Sequence, residues 1–204
     1  MTSSRKTGLT VFIVAALAVL FAGGTCVATY NNLVTLGQKA DAQWAQVENA
    51  YQRRADLIPN LVATVKGAAA HERETLTAVT EARSRVGQVS GREDLTTNPD
   101  AFAKYAGAQD RLGSALSRLL VVAEAYPQLR ATENFRDLQA QLEGTENRIT
   151  VERMRYNEAA RDFETARSTF PSSLVASVFS GKFAPKQYFA GKPGSEVAPK
   201  VDFK

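Results

Sequence analysis

Cysteine is nearly absent from this chain of 204 residues: Cys26 stands alone, so no intramolecular disulfide can form and packing must hold the fold. Histidine is as scarce. His71 is the single imidazole, and HERE around it is not the HExxH arrangement that puts two histidines on one helix face. The plain expectation for His71 is therefore an exposed helix residue among charged neighbours. Charge of one sign is also lacking, since 25 Lys+Arg oppose 21 Asp+Glu for a net +4 without a block of like charges. Nucleic-acid binders cluster their cations on one face, so that class is set aside. No glycine-rich phosphate loop is visible, Gly23-Gly24 lies inside an apolar run, and the lone histidine has no neighbour that would complete a nucleophile triad. Catalytic, cofactor-binding and metal-ligating residues are accordingly expected to be none.

Ionised side chains are missing altogether between Lys6 and Lys39. Within that gap, Leu9 to Tyr30 (LTVFIVAALAVLFAGGTCVATY) is long enough for a helix to cross a bilayer core, which takes about 20 apolar residues. A cleaved signal peptide and a lipid-modified Cys26 are the rival readings. Against cleavage, helical patterning begins at once after the run; against lipidation, Gly23-Gly24-Thr25 is a poor small-residue box before Cys26. A retained single-pass anchor is the expectation. Arg5, Lys6 and the terminal amine flank one side and only Lys39 the other, which places the N-terminus inside and the bulk of the chain outside. The layout expected is a flank at 1–8, an anchor at 9–30, a helical bundle at 31–170 and a tail packed on the bundle at 171–204.

Beyond the anchor, apolar residues recur in threes and fours. Gly37, Trp44, Tyr51, Ile58, Val65, Glu72, Val79 and Val86 stand seven apart, interleaved with Ala40, Val47, Arg54, Leu61, Ala68, Thr75 and Ala82. Such a stripe buries one face against other helices. Its phase survives Pro59, which favours one kinked helix through Tyr51–Arg85; the alternative is a fresh helix capped by Asp56. Gly87–Asp100 reads as a loop, and Asn98 or Thr97 as the cap of a second helix with the stripe Tyr105, Ala108, Leu112, Ala115, Leu119, Val122, Tyr126. Pro127 stops it. Thr132 caps a third, whose inner line Leu142, Ile149, Tyr156, Phe163, Phe170 runs to Pro171, with Leu138, Thr145, Glu152, Ala159 and Ala166 between. The tail has too many prolines and glycines for a long helix yet is too apolar for a free linker. It is expected to form a short helical turn near Leu174–Phe179 and then an extended segment lying on the bundle, with Val201 and Phe203 as end anchors. The fold class is thus all-α: an N-terminal transmembrane helix continuing into an antiparallel up-and-down bundle of three to four long helices, with an irregular C-terminal tail.

The stretch YNNLVTLGQKADAQWAQVENAYQRRADLIPNLVATVKGAAAHERETLTAVTEAR resembles the signature of the LemA family, with RRADLIPNLV and HERETL its most specific parts. The likeness continues through RYNEAARDFETARSTFPSSLVASVF to APKVDF, and so covers nearly all of the chain after the anchor. One departure stands out: Ala68 and Ala69 occupy positions where the family pattern calls for a bulkier residue such as tyrosine. The resemblance implies a bacterial membrane protein with one N-terminal span and a four-helix, up-and-down type bundle. It implies no agreed enzymatic activity, and some relatives are implicated in membrane-organelle formation in magnetic bacteria.

Arg54, Glu72 and Glu152 fall on the inner stripes, where an unpaired charge is costly. The bland expectation is that they sit at stripe edges and reach water. The sharper one is that they pair across helices and fix register. Arg53 and Arg54 point to different sides of the helix and make no fork for phosphate. Arg54, Asp56, Pro59, His71, Glu72 and Glu152 are the candidate partner-binding or register-setting residues. The function expected is a scaffold or adaptor of the bacterial cell membrane without catalysis of its own. Its partners would be the lipid bilayer and either a protein or a second copy of the chain. The alternatives are a membrane-surface, lipid-binding protein that shapes the bilayer, and a hydrolase or metal protein centred on His71, Glu72 and Glu152.

Overall fold

The computed structural model describes residues 3–68, 72–91 and 95–190 of the chain. Among them the regular structure is entirely helical. The first helix, α1, spans Ser3–Ala68 and is 66 residues long, or about 100 Å at 1.5 Å per residue. Then come α2 (Arg73–Val89), α3 (Pro99–Glu124), the single turn α4 (Pro127–Arg130), α5 (Glu133–Ser168) and α6 (Ser172–Val178).

Along the first third of α1 the apolar side chains from Leu9 to Val27 are exposed. The same helix passes without a break into the bundle, where Leu33, Ala40, Trp44, Val47, Tyr51, Ile58, Leu61 and Val65 are buried on one face. Pro59 lies within α1, so Asp56 does not cap a new helix. Asp56 is exposed and accepts instead from Gln52 Nε2 at 2.7 Å. Proline has no N–H to give the carbonyl four residues back. That carbonyl belongs to Ala55, and it accepts from Arg83 Nε of α2 at 3.3 Å.

The amphipathic stretch after the anchor is not one helix, as its unbroken phase had led us to expect, but two. The division falls between Ala68 and Arg73 rather than at Pro59. A stripe can keep its phase across a reversal when both arms of a hairpin face the same core: Val65 and Leu76 are buried in one cluster. Glu72, assigned to the inner stripe, precedes α2 and is only half-buried. His71 and Ala69 lie outside the described residues, and so do Val201 and Phe203.

Cross-helix bonds give the topology. Lys39 meets Asp162 and Arg54 meets Glu146, so α1 and α5 are antiparallel. Arg83 meets Ala55 while Leu76 and Val65 share one buried cluster, so α2 is antiparallel to α1. Phe102 near the start of α3 packs on Trp44 while Tyr126 just past its end meets Glu72, so α3 runs with α1 and against α5. The four long helices therefore run up, down, up, down. The most extensive helix pairings are α1–α5 and α2–α3. Asn98 caps α3 as its position implied, accepting from Asp100 N and Ala101 N at 3.1 Å each, with Pro99 in the first turn.

Phe170 departs from its expected place on the inner line of the third long helix. That helix, α5, ends at Ser168, and Phe170 is 81% exposed while Phe163, one heptad earlier, is 2% exposed. Beyond α6 the chain turns through 179–183, where Lys182 N and Phe183 N donate to Phe179 O at 2.9 and 3.1 Å, and from 184 to 190 it runs without helix or turn back along the bundle. Arg167 Nε donates to Phe183 O at 2.7 Å, Gln187 N to Thr96 O at 2.8 Å, and Tyr156 OH to Gln187 O at 2.9 Å. Asn157 then clamps the backbone of Phe189, its amide donating to the carbonyl and its oxygen accepting from the N–H, both at 2.9 Å.

Candidate functional site

Halfway along the bundle, polar groups interrupt the apolar core. Arg54 is 2% exposed, so it does not reach water at a stripe edge. A guanidinium removed from water must be paired to be tolerated. Its Nη1 donates to Glu146 at 2.8 Å, and its Nη2 donates to Gln109 O at 3.1 Å and to the Gln109 side-chain oxygen. One side chain thereby ties α1 to α3 and α5. Its Nε finds no acceptor among the described residues. Glu146 is half-exposed, so the pair opens toward solvent on one side.

A second tie lies directly below. Arg153 of α5 donates to Tyr51 OH at 2.6 Å and to Asp110 at 2.8 Å, and both Arg153 and Arg54 stand over the Tyr51 ring at 5.4 and 5.2 Å. Burial pushes the Tyr51 hydroxyl up from 10.0 to about 12 despite the neighbouring Arg153 cation. It stays a neutral donor-acceptor at physiological pH. These two layers floor a cleft of about 680 Å³ between α3 and α5, edged by Ser114, Ser117, Asn147 and Thr150. Both guanidiniums are already engaged by carboxylates of their own chain, so the cleft is a joint between helices rather than an empty anion cradle.

Of the other sequence candidates, Glu152 is 3% exposed but among the described residues pairs only within its own helix, with Arg155 at 3.2 Å and Arg148 at 3.7 Å. Glu72 accepts from Tyr126 OH at 2.9 Å at the far end of the bundle, and this bond raises the tyrosine's pKa. The α1–α5 register sets Glu152 opposite about residue 50, so Glu72, beyond Ala68, lies about 25 Å further along the axis. The two carboxylates do not form one centre. Among the described residues no group of three or more His, Cys, Asp or Glu comes together. The sequence reading missed Gln109, Asp110, Glu146 and Arg153. It had put Ala108 on the inner line of α3, whereas Gln109 is the buried neighbour and Ala108 is half-buried. A polar residue four positions from Tyr105 was the signal available.

A different surface lies on the outer side of α2 and α3, where a groove of about 640 Å³ runs between the two helices. Small residues form its bed: Ala78, Ala82, Gly107, Ala108 and Ala115. Arg85, Lys104, Arg111 and Arg118 rim it against the single carboxylate of Glu81, and none of the four cations is in an ion pair among the described residues. None of the four cations stood out in the sequence, because they are spread over 34 positions and meet only when α2 folds back on α3.

The chain resembles two magnetosome proteins of Paramagnetospirillum magneticum, MamQ 1 and MamQ 2. It is 25% identical to each over 201 residues, covering 91% of this chain and 73% of either relative. Magnetosome protein MamQ of Magnetospirillum gryphiswaldense is 26% identical over 189 residues, covering 85% of this chain and 69% of that protein. The LemA family model matches residues 43–203, which takes in the buried Arg54 tie, the α2–α3 groove and the returning tail. With a helix long and apolar enough to cross a membrane leading into a four-helix bundle, this is a membrane-associated protein that belongs to the LemA family.

Proposed function

We propose that the protein is a membrane-anchored scaffold whose bundle, held on a rigid helical stalk, presents the α2–α3 groove to an acidic helical segment of a partner. The observation that carries this reading is the unpaired cationic rim around a bed of small residues. Small side chains allow close backbone approach, and cations that lack carboxylates of their own favour a partner that brings them. The interior supports the same reading, because the buried Arg54 and the half-buried Arg153 are consumed in tying helices together. A photo-crosslinker at Lys104, in membranes of the native bacterium, is expected to give a discrete adduct. The adduct should vanish with Arg111→Glu and Arg118→Glu while the helical content stays unchanged. Recovery of uncomplexed monomer alone from Lys104 would overturn the proposal.

A second reading, that the protein itself organises the bilayer, draws on relatives that carry the name magnetosome protein. It is separated from the first by reconstituting the full chain without other proteins: altered vesicle size or curvature favours it, and unchanged vesicles count against it.

A further inference from the structure

The base of the bundle has an apolar edge that no part of the described chain covers. Phe170, Leu174 and Val178 are 81%, 59% and 76% exposed, while Val175 and Ala176, on the opposite side of α6, are 7% and 4% exposed. One face of α6 is therefore seated on the bundle and the other is bare. Its seat is the part of α1 where the apolar run ends: Val175 and Ala176 pack in one cluster with Tyr30, Leu33 and Val34.

The height of this edge follows from the helix register. Lys39 faces Asp162, and each residue up α1 is matched by one down α5, so Ser168 falls opposite about residue 33 and Phe170 opposite about residue 31. The apolar run of α1, Leu9 to Tyr30, ends at that height. Tyr30 marks it, with the rings of Phe179 and Phe183 edge-on at 5.2 and 5.4 Å and Lys182 Nζ on its hydroxyl at 2.6 Å. Aromatic rings and lysines gather where a span leaves the hydrocarbon. No Asp or Glu occurs before Asp41 or between Glu164 and Glu196, so no carboxylate from α1 or from the α6 region opposes anionic headgroups here.

We propose that the α5–α6 turn and α6 form a second contact with the bilayer, Phe170, Leu174 and Val178 entering the headgroup–acyl boundary beside the span. One helix crossing a membrane leaves its load free to tilt and rotate; a foot planted next to it fixes which side of the bundle faces the membrane. The occupant is lipid because the edge adjoins the exposed span at the same height. This proposal stands on the membrane placement of α1, not on the scaffold reading or the α2–α3 groove.

The test uses the full chain with Cys26→Ser and single substitutions Leu174→Cys, Val178→Cys or Val121→Cys, each labelled with bimane. Vesicles of phosphatidylcholine and phosphatidylglycerol carry a shallow doxyl quencher on the acyl chain. Val121 is the control, equally exposed at 66% but near the far end of α3, and labelled native Cys26 reports the span. Quenching at 174 and 178 severalfold above that at 121 is the expected result. Quenching at 26 without any at 174 or 178 overturns the foot and leaves the anchor standing. No quenching at 26 removes the membrane placement and the foot with it. Shielding of 174 that grows with protein density, without lipid quenching, also overturns it and assigns the edge to a second copy.

Discussion

The distal and membrane-proximal halves of the bundle are built differently. The distal core is mostly aliphatic, with Ile58, Leu61 and Val65 of α1, Leu76 and Val79 of α2, Leu112, Leu116 and Leu119 of α3, and Leu142 of α5. The proximal core is a nest of rings: Trp44 contacts Phe102, Tyr105, Tyr156 and Phe189 with centroids 5.2–5.8 Å apart. The difference follows from how far α2 reaches. Arg83 of α2 meets Ala55 of α1, so α2, which ends at Val89, stops opposite about residue 49 and supplies no fourth helix at the level of Trp44. The returning strap takes that place. An extended segment is thinner than a helix, and large rings fill the remaining width. The Arg54–Gln109–Glu146 tie marks the seam between the two constructions.

Breaking the ring nest should do the most damage. Trp44→Ala is expected to cost about 3–5 kcal/mol, by lost burial and the cavity left behind. Leu112→Ala in the aliphatic half should cost about 2–5 kcal/mol and leave the strap in place. Thermal unfolding of the detergent-solubilised chain by circular dichroism measures the first. Proteolysis within 179–190 separates the two, since only the Trp44 variant should expose that segment. If both variants are cut there equally, the halves are not distinct.

The seam comes next. Arg54→Ala strands Gln109 and Glu146 without their cation and is expected to cost about 3 kcal/mol or more, whereas Arg54→Met, which fills the space without charge, should regain most of it. Equal losses for the two would show that packing rather than pairing governs the position. Smaller again is the strap itself. Phe189→Ala should cost about 2 kcal/mol from a half-buried ring, and Tyr156→Phe, which removes the bond to Gln187 O, about 1 kcal/mol. Both should raise proteolysis of the strap without changing the midpoint of a distal-core variant such as Leu112→Ala by more than simple addition.

Helical periodicity carried most of this fold. The lines through Trp44, Tyr51, Ile58 and Val65 and through Leu142, Ile149, Tyr156 and Phe163 are buried as their spacing required. The division after Ala68 was not legible because three alanines, strong helix formers, follow Gly67, and a single glycine without a proline or a polar run beside it does not by itself mark a reversal. The strap was legible as an extended, apolar return, but not its function in the core: Phe189 replaces a helix only because α2 is short. The candidate site was less visible still. Arg54 was readable as a charge on an inner line, yet its partners lie 55 and 92 positions away, and periodicity names faces rather than partners.

Alkaline titration probes the proximal half and leaves stability near neutral pH untouched. The proximal half holds Tyr51, Tyr105 and Tyr156, whose pKa values are all raised by burial. Tyr51 ionises at about 12 in the folded chain against 10.0 for the free side chain. The unfolded state thus loses its proton first, so the tyrosine's contribution is fully present below pH 10 and drains away as pH rises toward 12. Stability should be flat to about pH 10 and then fall, with the strap and ring nest the first to open. Tyr51→Phe should flatten part of that fall while lowering stability near neutral pH by the lost bond from Arg153, about 1 kcal/mol. Measuring the unfolding midpoint from pH 8 to 12 in both chains decides the matter. Identical slopes would mean that the Tyr51 hydroxyl is no more buried than the open chain, and the proximal core would not be the sealed ring nest described.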